Sequence, residues 1–69
     1  MTTKNRYDRT FDRAVARGFN HTEATCLATY DVARQEGLSH ADAAARALRK
    51  GGNFSPAAIE VWHNACKVL

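Results

Sequence analysis

Four arginines, Arg6, Arg9, Arg13 and Arg17, recur at intervals of 3, 4 and 4 residues near the start of this 69-residue chain. On a helix that spacing gathers all four on one face, opposite Tyr7 and Phe11, and Lys4 extends the row. A guanidinium forks onto a carboxylate or phosphate while its stem covers apolar surface, so the row is a candidate anion-docking face. Asp8 and Asp12 on its flank neutralise part of it. The remaining residues able to do chemistry are His21, Cys26, His40, His63 and Cys66. Only His63 and Cys66 fall on adjacent turns of one helix, and there is no CxxC pair, so no metal site is expected. A reactive thiolate needs an open, electropositive setting, and the two cysteines are instead expected to be reduced and packed as small apolar groups. Gly51 and Gly52 lack the spacing of a phosphate-cradling loop, and no cofactor is expected. So short a chain has little room for an enzyme cleft and its supporting shell, which favours a noncatalytic protein.

The elements that would carry these residues are helices. Tyr7, Phe11, Ala14, Val15 and Gly18 recur at steps of three and four, with Asn5 as the N-cap and Asp8 at the third helical position. "GFNHTEA" at residues 18 to 24 returns as "GLSHADA" at 37 to 43. Each copy supplies a glycine to stop one helix, an apolar residue to turn back on it, a polar cap and an acid at the third position of the next. The repeat is helix punctuation, and it leaves His21 and His40 in first turns that usually face solvent. The second helix has apolar residues on two sides, Cys26, Leu27, Tyr30 and Ala33 on one and Ala24, Ala28 and Val32 on the other, as a central helix would. The third has a thin core face of Ala41, Ala44, Ala45 and Leu48. "GGNFSP" then stops it, with Ser55 as cap, Pro56 at the first helical position and Phe54 placed to pack on Ile59. In the fourth, Ala58, Trp62, Ala65, Cys66 and Leu69 share a face, with Ile59 and Val61 on its flanks. The expectation is a single all-α domain, a compact bundle of four short helices at about 6-17, 21-36, 40-50 and 56-68. Trp62 and Tyr30 are expected in its core, and His63 is expected to lean towards solvent.

Residues 38 to 65, "LSHADAAARALRKGGNFSPAAIEVWHNA", resemble a helix-turn-helix: a capped alanine-rich helix, a glycine turn, then a helix bearing an aromatic residue. The resemblance implies a second helix in the DNA major groove, with Ser55, Pro56, Ala57, Glu60, His63, Asn64 and Lys67 at the exposed positions. His63, Asn64 and Lys67 are the nucleic-acid contacts it would supply, whereas Pro56 and Ala57 donate nothing and Glu60 would face phosphates. In size and style the chain also resembles the small helical proteins encoded by bacteriophages and mobile elements, some of which inhibit host defence or regulatory proteins.

Ten basic against seven acidic residues give a formal charge of +3, compatible with an acidic partner but short of a strong nucleic-acid signature. No apolar run is long enough for a membrane span, and the polar start "MTTKNRYDR" lacks a signal peptide's apolar core, so a cytoplasmic location is expected. Thirteen alanines supply much of the apolar content, which leaves a small core that a second subunit would help to complete, as a homodimer. The leading expectation is a regulator that binds and inhibits or redirects another protein through Arg6, Arg9, Arg13 and Arg17. A small DNA-binding regulator is the alternative.

Overall fold

The computed structural model describes residues 5–67, without the side chain of Lys67. Lys4, Val68, Leu69 and the Lys67 side chain, which the sequence reading assigned to the basic row, the fourth helix and a nucleic-acid contact, lie outside the described residues. The chain folds as an all-α bundle of four short helices: α1 (Arg6–Ala16), α2 (His21–Gln35), α3 (His40–Leu48) and α4 (Pro56–Lys67). The described residues include no strand. No helix among them is long and apolar enough to cross a membrane.

Local chemistry sets the boundaries. Asn5 Oδ1 accepts from the Asp8 amide at 2.8 Å, and Ser39 and Ser55 hydroxyls accept from Asp42 and Ala58 at 3.2 and 3.1 Å. At α2 the cap is reciprocal: Asn20 Oδ1 accepts from the Glu23 amide at 2.8 Å while Glu23 Oε1 accepts from the Asn20 amide at 3.0 Å. Two otherwise orphaned amides are thereby satisfied. The two glycines of the repeat close the preceding helices in the same way. Gly18 has φ 104° and Gly37 has φ 97°. Phe19 and Leu38 then donate their amides to Ala14 and Ala33, each at 3.1 Å, while Gly18 and Gly37 donate to Val15 and Arg34 at 3.0 and 3.1 Å. That double return is the Schellman arrangement, and it places an apolar residue directly after each turn.

Helix α2 packs against each of the other three, whereas no Cα of α1 comes within 8 Å of one in α3. Small residues permit the close approach. Ala14, Ala24, Ala28, Ala33, Ala43, Ala44 and Ala47 are buried around Leu27, Ile59, Cys26, Cys66 and Tyr30. Phe11, Phe19, Leu38, Leu48 and Phe54 close the edges of this cluster.

Three helices are rotated from the faces their apolar residues suggest. On α1 the buried residues are Thr10 and Ala14, and Val15 is exposed. On α3 they are Ala43, Ala44 and Ala47, leaving Ala41 and Ala45 exposed and Leu48 half-buried. On α4 they are Ile59, His63 and Cys66. Trp62, expected in the core, is 41% exposed and packs edge-on against Phe19 at 5.5 Å between ring centroids. An alanine-lined interior holds no space for an indole, so the ring covers the core from outside. His63, expected near solvent, goes inside instead because a buried carboxylate awaits it there.

No atom lies within 4 Å of a Cβ built on Gly18 or Gly37, so only the backbone conformation opposes substitution. Gly18→Ala and Gly37→Ala should each lower stability by about 1–2 kcal/mol, the cost of the left-handed conformation for an L-residue. Asn, which visits that region more readily, should recover part of the loss. Urea unfolding followed by circular dichroism measures both, and an unchanged midpoint for the alanine variants would contradict the role given to these corners.

Candidate functional site

The site is built around Asp31, a carboxylate 3% exposed in the middle of the apolar central helix. Its Oδ2 accepts from Arg6 Nε at 2.6 Å and from Thr10 Oγ1 at 3.1 Å. Its Oδ1 accepts from His63 Nε2 at 2.6 Å and from Arg6 Nη2 at 3.3 Å. Two donors on each oxygen fill the acceptor capacity of a carboxylate. Because an ionised carboxylate only accepts, His63 carries a proton on Nε2 in either of its charge states. One side chain thus ties α2 to α1 through Arg6 and Thr10 and to α4 through His63.

Burial by itself pushes the Asp31 carboxyl up, but the hydrogen bonds and positive charge of His63 and Arg6 outweigh it and hold the group below its usual range. With the folded-state value depressed, the stabilisation is present above the unfolded value near 3.8 and is lost as pH falls through the folded one.

Above this floor lies a cleft of about 320 Å³ between α1 and α4, lined by Arg6, Arg9, Thr10, Arg13, Asp31, His63 and Cys66. Three arginines of the row therefore line one concavity, and Arg17 is not among its lining residues. The row is not uniform. Arg6 is committed to Asp31, while Arg9, Arg13 and Arg17 are exposed and enter no ion pair among the described residues. His63, proposed from sequence as a base contact, is 4% exposed and would have to leave Asp31 to reach a ligand outside. Asn64 is exposed on α4, beside a second cleft lined in part by Tyr30, Asp31, Arg34 and Glu60.

A neighbouring polar group links α2, α3 and α4. Tyr30 Oη lies 2.9 Å from His40 Nδ1, and Glu60 Oε2 lies 3.1 Å from the same nitrogen. His40 is accordingly half-buried rather than solvent-facing, whereas His21 is exposed and lies 5.5 Å from the Phe11 ring. The Tyr30 ring meets His63 edge-on at 5.0 Å and so buttresses the imidazole that serves Asp31. Burial raises the Tyr30 phenol, against the pull of Arg34 and with the help of Glu60.

Both cysteines are free thiols and buried. Burial pushes Cys26 up to about 11. Burial also raises Cys66, and the nearby Arg17 and Arg13 offset only part of that rise. Both therefore remain thiols at neutral pH and act as packing groups. Among the described residues no three His, Cys, Asp or Glu side chains are grouped so as to hold a metal ion.

Sequence reasoning missed Asp31. Its signal was present: it is the one charged residue in the stretch "ATCLATYDVA" from 24 to 33, where a charge has no solvent face to occupy. No protein-family model, no curated protein and no solved structure matches this chain.

Asp31→Ala should cost about 3 kcal/mol, because it strands His63 and Thr10 without their acceptor. Unfolding midpoints should also show that the wild-type protein loses stability on acidification below about pH 4, with a shallower loss in Asp31→Asn. Equal acid sensitivity in the two proteins would remove Asp31 from the account.

Proposed function

We propose that this chain is a noncatalytic, cytoplasmic regulatory protein that docks through α1 on the acidic surface of another protein and so inhibits or redirects it. The role is that of the small helical inhibitors encoded by bacteriophages. The observation that carries this reading is the exposed row of Arg9, Arg13 and Arg17 along one helix, with no ion pair among the described residues. Arginine is enriched among the residues that dominate protein interfaces, and an exposed row of one sign steers association with a complementary surface. Anchoring Arg6 on Asp31 fixes the start of α1 against the bundle, so the rest of the row is presented on a held helix. The reading of α3 and α4 as a DNA reader receives less support, because His63 is occupied and Glu60 is exposed on the same helix.

Affinity capture from lysate, with and without nuclease, tests the proposal. A protein should stay bound after nuclease treatment, and Arg9→Glu or Arg13→Glu should abolish its capture while the helical spectrum is unchanged. Capture that is indifferent to both reversals would overturn the assignment of the face, and recovery of nucleic acid alone would favour the DNA alternative.

Self-association belongs to the same reading. Val15, Val61 and Trp62 leave large apolar side chains exposed, and a small domain gains from covering such surface. Sedimentation at micromolar concentration should give a dimer that Val61→Asp returns to monomer. A monomer in the unmodified protein would remove the dimer.

A further inference from the structure

The cleft between α1 and α4 has a chemistry more specific than a basic surface. Its floor is Asp31, whose two oxygens already accept four hydrogen bonds. A carboxylate so satisfied has no acceptor left for Arg9 or Arg13, which line the same space. Three guanidinium groups face one carboxylate there, an excess of two positive charges before His63 is counted. Arg6 gives Nε–H and one Nη2–H to Asp31, so three of a guanidinium's five donors remain. At about 320 Å³ the space lies at the small end of ligand sites and suits a compact anion with a short substituent.

We propose that this cleft is a binding site for a doubly charged oxyanion of the phosphate-monoester type, clamped by Arg9 and Arg13 above the Arg6–Asp31 floor. Two charges match the local excess, and several oxygens offer acceptors for forked guanidinium donors, which a single carboxylate matches less well. Asp31 positions: it holds Arg6 in place and does not touch the anion. Arg49, which is exposed and does not line this cleft, is the internal control. The site goes beyond docking on an acidic protein, and each can fail while the other stands, because anion binding is read on the purified chain alone.

The test is titration of the full chain with inorganic phosphate at neutral pH and constant ionic strength, read by nitrogen-edited NMR of arginine Nε–Hε groups and backbone amides. Saturable shifts are expected at Arg9, Arg13 and Thr10, with acetate binding roughly tenfold more weakly. Arg9→Gln and Arg13→Gln should each weaken phosphate by about tenfold while Arg49→Gln leaves it unchanged. Circular dichroism checks that each variant is folded. Phosphoserine, free and within a short neutral peptide, separates the sources: equal affinity points to a small phosphate ester, and tighter peptide binding to a phosphorylated partner. Shifts that rise linearly without saturating, or appear equally at Arg34, Arg46 and Arg49, would overturn the site. So would wild-type affinity in a folded variant lacking both Arg9 and Arg13, or a response to duplex DNA with none to phosphate.

Discussion

A carboxylate withdrawn from water is costly unless every lone pair is answered, and this bundle is arranged to answer those of Asp31. The four donors come from residues 6, 10 and 63, and they meet only when α1 and α4 sit on α2 in one rotational setting. Apolar packing tolerates sliding, and an interior lined with alanine tolerates more of it than most. The Asp31 cluster opposes that freedom. It stabilises one arrangement of α1 and α4 over those that would leave an acceptor or donor unmet, which is the specificity a buried polar network can supply.

Closure at the edges has a different origin. Phe11, Phe19, Leu38, Leu48 and Phe54 pack around the alanine interior, and two of them, Phe19 and Leu38, are delivered by the paired glycine corners. The same corners hold α1 and α3 on α2, with the Cα atoms of the two kept more than 8 Å apart. The central helix therefore carries the bundle, and α4 packs on both the first and the third helix.

The helices were legible in the sequence because their limits are local. A cap and the amide it serves are three residues apart, and a glycine stop is read at the residue itself. Observed and expected starts agree at Arg6, His21, His40 and Pro56, and the ends of the first three helices differ only by a residue or two. The buried faces were less legible, since alanine is accepted inside or outside and gives a short helix no preferred side. On α1 and α4 the deciding residues are Thr10 and His63, polar groups that hydropathy assigns to solvent and that only a distant acid draws inward. The arginine row was visible as a row. That its first member is held by the core, that three members share a cleft and that the fourth does not were three-dimensional facts.

Trp62 is the single tryptophan of the chain, and it stands half-uncovered beside Phe19, just past the glycine corner that ends the arginine helix. The protein thus carries its own fluorophore beside the corner that joins α1 to α2. An indole in that setting emits from a partly wet environment, and covering the ring or loosening its contact with Phe19 changes the colour of its emission. Unlabelled protein can therefore be watched optically, and the movement of one helix against another becomes visible without altering a residue.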